Sequence, residues 1–210
     1  MTRVLDAAGD PPAAGAIQRA VAALAAGEAI GVPTDTVYGL AARADVAGAT
    51  AAIFELKGRP EGLALPVLVA SVGQAARVGE GLDEGAGGPA RRLVEHFWPG
   101  GLTVVVRRRP GPAMDLGGDP ATVGLRCPDH PVIRALCSEV GPLPTTSANR
   151  HGEPPITRAE DVAATFPGLL VLDAGRCDGA PSTVVDCTGA GVRLIREGDI
   201  PWARIETALA

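Results

Sequence analysis

The chain has 210 residues, of which 46% are apolar and 20% charged, a make-up that supports a packed core and argues against disorder. Nineteen basic against 24 acidic residues leave a net charge of −5, which argues against gripping a nucleic-acid backbone as the main task but leaves room for a local basic pocket. The start, MTRVLDAAGDPP, lacks the apolar run of a signal peptide, later apolar runs are too short to span a bilayer, and the four cysteines show no C-x-x-C spacing. These features lead us to expect a soluble cytoplasmic protein with reduced thiols and no membrane partner.

In chain order, Asp10, Pro11 and Pro12 look like a helix start, and Ile17, Val21 and Leu24 then recur at helical spacing up to Gly27. A strand over 29–32 runs into the turn-rich segment PTDTVYGL, 33–40. A helix from about Ala49 should end at Lys57, stopped by Gly58 and Pro60. An apolar strand over 65–70 follows, then a helix over 89–97 stopped by Pro99, Gly100 and Gly101. Further strands are expected over 102–106, 122–126, 169–173, 183–186 and 192–196. A helix near Thr157 carries a capping-box spacing, with Glu160 three residues on, and another helix follows Pro201. Strands and helices interleave without a strict βαβ rhythm. The fold class expected is therefore α/β (α+β type), a twisted mixed sheet with flanking helices, with ligands taken where strands end in loops.

The rarest residue types point to the site. The sequence holds a single lysine, Lys57, a single tyrosine, Tyr38, and a single asparagine, Asn149; two of its few serines are Ser147 and Ser182. Lysine is a point charge on a flexible stem and arginine a planar fork. Lys57, two residues before Arg59, reads either as a helix-end cation complementing the dipole or as a phosphate-binding charge beside a forked anion binder. PTDTVYGL gathers Thr34, Asp35, Thr36 and Tyr38 after a strand; PTTSAN (144–149) gathers Thr145, Thr146, Ser147 and Asn149; Ser182 and Thr183 open another strand. Such hydroxyls are either turn formers or ligand donors. No P-loop, G-x-S-x-G elbow, S-x-x-K or H-E-x-x-H motif is present, and His96, His130 and His151 are scattered. His130, between Asp129 and Pro131, fits a turn or helix start better than a base, and the cysteines read as small core residues.

PTDTVYGL, KGRP (57–60), WPGGLT (98–103), TVGLRCP (122–128), PTTSAN, PSTVVD (181–186) and LIREG (194–198) stand in an order that resembles the YrdC-like family of L-threonylcarbamoyladenylate synthases. The resemblance covers roughly 15–200 and implies one YrdC-like domain over 1–210, the short form without the extra C-terminal domain of longer relatives. It implies a deep electropositive cavity in which L-threonine, bicarbonate and ATP, with Mg2+, give threonylcarbamoyl-AMP and pyrophosphate. The product would pass to a tRNA threonylcarbamoyltransferase partner, with direct tRNA binding weak or absent. By the same resemblance Lys57 and Arg59 are the phosphate and carbamate clamp and the catalytic pair. Thr34, Thr36, Arg126 and Ser182 would hold threonine or its carbamate. Thr122, Thr145, Ser147, Asn149 and Arg196, together with Lys57, would hold the nucleotide, and no protein ligand to the metal is implied. Departures from the family pattern are Ala70, where relatives carry histidine, Asp35 for glutamate and Thr146 for proline. The family's carbamoyl-transfer and RNA-binding readings are alternatives; the first belongs to much longer chains, and the second fits poorly with the net charge and the scarcity of stacking aromatics.

Overall fold

A computed structural model describes residues 3–58, 62–111 and 114–210. Within them the chain forms β1 (Arg3–Asp6), α1 (Ala14–Ala25), β2 (Ile30–Val32), β3 (Gly39–Ala41), α2 (Ala49–Lys57), β4 (Val67–Leu68), α3 (Val72–Ala76), α4 (Pro89–Phe97) and β5 (Leu102–Arg107). There follow β6 (Thr122–Arg126), α5 (Pro131–Val140), β7 (Leu143–Ser147), α6 (Ala159–Thr165), β8 (Leu170–Asp173), β9 (Thr183–Asp186), β10 (Arg193–Arg196) and α7 (Trp202–Leu209). The strands join in one mixed sheet, ordered β1-β8-β2-β3-β7-β4-β6-β5-β9-β10. The expected mixed sheet with flanking helices is what forms.

The seam of this sheet is β7. Its first residues, Leu143 and Pro144, pair with β4, whereas Thr145, Thr146 and Ser147 pair antiparallel with β3. Gly39 in β3 lies so close to β7 that an added Cβ would come within 2.7 Å of the Thr145 methyl, so only glycine lets the two strands meet there. On one side of the seam the apolar faces of β2 and β8 pack on α1 and α5 through Ile17, Leu24, Ile133 and Leu136. On the other side, β5 and β6 pack on α4 and α7 through Leu93, Val94, Phe97 and Ile205. A third cluster, around Tyr38, Ile53, Phe54 and Phe166, fills the space between α2, α6 and the middle strands.

The helix expected to stop at Lys57 does so, because Gly58 takes the left-handed conformation (φ 61°) that closes its C-terminus. The strand expected over 65–70 shrinks to Val67–Leu68, since Pro66 has no N–H to donate and Leu65 N bonds to Leu116 O outside the ladder. The capping box at Thr157 does not form. The helix starts at Ala159 after Arg158, with no side-chain cap, and the Thr157 carbonyl is taken by Cys177 N. Elements absent from the sequence reading are β1, β3, α3 and α5, and PTTSAN, whose hydroxyls the sequence groups as turn formers or ligand donors, supplies the body of β7.

Candidate active site

The period of two along a strand separates core from site. In β6, Val123 and Leu125 enter the core, whereas Thr122, Gly124 and Arg126 face the other way. In β5, Leu102, Val104 and Val106 enter the core, leaving Thr103 and Val105 on the opposite face. At β9, Val185 is core while Ser182 and Val184 face out with them. Together with Thr34 and Thr36, the three hydroxyl residues of β7, and Ile195 and Arg196 of β10, these side chains line a cavity of 510 Å³ at the sheet's seam. A larger, shallower groove of 690 Å³ beside α2 holds Arg150 but none of the residues singled out from the sequence.

Arg126 is fixed on three sides. Its Nε donates to Gly100 O (3.0 Å), Nη1 to Thr36 Oγ1 (2.8 Å) and Nη2 to Asp35 Oδ1 (2.6 Å). Thr34 Oγ1 donates to Val37 O (2.7 Å) and accepts from the backbone N–H of Thr36 and Val37, each at 3.2 Å. A hydroxyl has one hydrogen, so in the 3.0 Å contact between Thr34 and Thr36 it is Thr36 that donates. Thr34 therefore lines the cavity as the former of its turn, with its hydrogen already committed, while Thr36 Oγ1, which accepts from Arg126, keeps one further lone pair.

Arg196 sits at the rim. Its Nε and Nη2 donate to Ser182 O at 3.2 and 2.7 Å, and Nη2 reaches Ser182 Oγ at 3.2 Å. Among the described residues no carboxylate lies within ion-pair distance of it. Desolvation in the cavity wall and the neighbouring Arg126 charge both lower its pKa. Two arginines thus share one hollow, one neutralised by Asp35 and the other without a counter-ion among the described residues.

Lys57 lies behind the wall at 4% exposure. Its ammonium donates to Ser147 O, to Asn149 O (2.7 Å) and to Asn149 Oδ1 (3.2 Å), with Ser147 Oγ at 3.5 Å. Asn149 Nδ2 in turn donates to Arg150 O (2.8 Å) and Glu153 O (2.7 Å). The lysine therefore ties the end of α2 to the loop after β7, and Ser147 is its link to the cavity. Of the four cations expected in one hollow, Arg126 and Arg196 line it, Lys57 adjoins it, and Arg59 lies outside the described residues. Thr122, Thr145, Ser147 and Ser182 line it as well, and Asn149 stands with Lys57 in the layer behind.

Sequence reasoning missed two participants. Asp35 stands out in the sequence as part of the PTDTVYGL turn and as a departure from the family pattern, but not as the partner of Arg126 that it is. Thr103 was read as an ordinary strand residue, although it is the lone hydroxyl in an otherwise apolar run and points at Ser182 (3.0 Å). His130 is the N-cap of α5, its Nδ1 accepting from Val132 N (3.3 Å), the helix-start role its neighbours suggest. Burial pushes the Cys127 and Cys177 thiols up to about 11, so neither is a ready nucleophile at neutral pH.

Comparison with known proteins identifies the family and the fold. The family model Sua5_yciO_yrdC, described as "Telomere recombination", matches residues 22–198, and the chain belongs to that family. A "Putative threonylcarbamoyl-AMP synthase" of Mycobacterium tuberculosis is 40% identical over 212 residues, spanning 100% of this chain and 96% of that protein. The "Threonylcarbamoyl-AMP synthase" of Bacillus subtilis is 38% identical, over 92% of this chain and 56% of its own length. The crystal structure of Pyrococcus abyssi Sua5 complexed with L-threonine superposes with a TM-score of 0.89 at 32% identity, covering 99% of this chain. This chain spans 61% of the length of that structure. Escherichia coli YciO shares the fold, with a TM-score of 0.83 at 23% identity. No described helix is long and apolar enough to cross a membrane.

Proposed function

We propose that this protein is a threonylcarbamoyl-AMP synthase, joining L-threonine, bicarbonate and ATP with release of pyrophosphate. The observation that carries the reading is the pair Arg126 and Arg196 in one hydroxyl-lined cavity, the second arginine having no carboxylate partner among the described residues. A cation left without a counter-ion beside another cation is a site for an anion, and every reactant but the amine end of threonine is anionic.

The chemistry asks the protein for charge neutralisation and alignment. The threonine amine and bicarbonate combine with loss of water to a carbamate. A carbamate oxygen then attacks the α-phosphorus, forming the new P–O bond as the bond to pyrophosphate breaks. No covalent nucleophile is required, in keeping with the protonated thiols and the missing triads. Arg126 keeps Nη hydrogens beyond its three bonds to Gly100, Thr36 and Asp35 for the threonine carboxylate or carbamate, and the free lone pair of Thr36 suits the amine. Thr34 shapes the turn around this end, and Ser182, bonded to Arg196, stands where it meets the phosphates. Arg196 faces the phosphates. Thr122, Thr145 and Ser147 offer hydroxyls to the nucleotide, and Lys57 with Asn149 holds that row in place and lends it positive charge. Arg59, two residues from Lys57, is assigned to the same phosphates.

No Asp or Glu among the described residues lines the cavity, so magnesium is best written as part of the Mg–ATP substrate, held by phosphate oxygens and water. The product passes to a partner that transfers the threonylcarbamoyl group to tRNA; at a net charge of −5 the chain itself has little need to grip that RNA. A cytoplasmic setting is supported by four cysteines that are all free. The test is mass spectrometry of a reaction holding all three substrates. The adduct mass of threonylcarbamoyl-AMP is expected, with pyrophosphate release dependent on both threonine and bicarbonate. Absence of the adduct, or release indifferent to bicarbonate, overturns the reading.

A further inference from the structure

Thr103 is 4% exposed, in the middle of β5, on the face turned to the cavity. Its methyl stands over Gly124 of β6, where an added Cβ would be only 3.6 Å from it. Its hydroxyl turns the other way, toward β9, and lies 3.0 Å from Ser182 Oγ. Ser182 in turn accepts from Arg196 three times, twice at its carbonyl and once at its hydroxyl. The hydroxyl pair lies between a packed strand and Arg196, the cavity cation that has no acidic partner among the described residues.

Proton counting gives this pair a definite capacity. Arg196 Nη2 fills one lone pair of Ser182 Oγ. Thr103 and Ser182 own two hydroxyl hydrogens, and their mutual contact uses one of them. With Thr103 as the donor, the Ser182 hydrogen is left beside the guanidinium for an anionic ligand. The valine isostere of Thr103 would keep the packing on Gly124 but leave Ser182 Oγ free to turn away from Arg196.

We infer that Thr103 is a positioning residue: through Ser182 Oγ it holds the Arg196 guanidinium in place and supplies, with Ser182, one further hydrogen-bond donor to the phosphates. The inference rests on the synthase reading for the identity of the ligand, and its test keeps the two apart. Mg–ATP affinity is measured by titration calorimetry, independently of turnover, and compared with steady-state kinetics. Loss of one hydrogen bond to a charged group predicts that Thr103→Val raises both the Kd and the KM for ATP about five- to tenfold with kcat within about twofold. Thr103→Ser restores both, and Thr103→Val combined with Ser182→Ala is no weaker than Ser182→Ala alone, because the two act as a unit. Thr103→Ala takes the place of the valine variant if that one does not fold. Wild-type affinity in Thr103→Val, a serine variant as weak as the valine one, or losses that multiply in the double variant each overturn the inference. A wild-type protein that makes no adduct and binds no ATP instead defeats the functional reading.

Discussion

The carboxylate of Asp35 meets the guanidinium of Arg126 at 2.6 Å, and the two side chains keep only 17% and 7% of their exposure. A pair this far from solvent is held together less by net attraction than by the cost of separating it, since either charge alone would be stranded in a poorly solvated wall. The same pair joins the turn before β3 to the end of β6, two stretches 91 residues apart in sequence.

Removing the acid should therefore cost both stability and alignment. Asp35→Ala is expected to lower unfolding stability by about 3 kcal/mol, the usual result of leaving one partner of a buried pair alone. It should also raise the KM for threonine, because Arg126 loses one of its three anchors. Urea unfolding and steady-state kinetics check the two halves of the expectation. An unchanged unfolding midpoint would mean that the guanidinium finds other company.

Lys57 invites a similar argument. A helix-end cation suggests a side chain whose loss costs little, but this ammonium is buried and serves Ser147 and Asn149. Lys57→Ala is expected to abolish pyrophosphate release and also to lower stability by about 2 kcal/mol or more, because buried carbonyls lose their donor. Lys57→Arg should be impaired too, a planar fork being too large for a niche shaped around a point. Pyrophosphate release and thermal unfolding, measured on the same preparations, read both effects.

His130 gives the protein a dependence on pH. Burial lowers its pKa against the upward pull of Asp35 and Asp129, and its Nδ1 must stay unprotonated to cap α5. A base whose folded pKa is depressed binds a proton more readily in the unfolded chain. The stability it contributes is full above the unfolded value near 6.5 and is lost as pH falls through the folded one. His130→Asn, which keeps a capping acceptor without the titration, is expected to flatten the decline in stability between about pH 7 and 5. Denaturant midpoints across that range decide it; parallel curves for the two proteins would refute it.

Where side-chain pattern and punctuation coincide, the structure was legible in the sequence. Gly58 marks the end of α2 and Pro89 opens α4, and the alternation in TVGLR outlines β6 to the residue. What escaped was set by partners distant in the chain. β3 is three residues long and begins with a glycine chosen by the closeness of Thr145, a tertiary demand with no local trace. PTTS looks like loop chemistry yet forms ladder, since threonine is β-branched and Gly39–Ala41 pairs along it. The site followed the same rule. Rare residue types located Lys57, Asn149 and Ser182, but not that Lys57 would face the back of the wall. Thr103 was findable as the lone hydroxyl in its run, whereas the pairing of Asp35 with Arg126 required coordinates.

Because β7 is bonded to β4 at one end and to β3 at the other, its hydroxyl row belongs to both halves of the sheet at once. Neither half can slide without dragging the row along, so the grip on a ligand inherits the stiffness of the backbone ladder. Retuning such a pocket for another cargo is then a matter of exchanging individual side chains on a fixed frame.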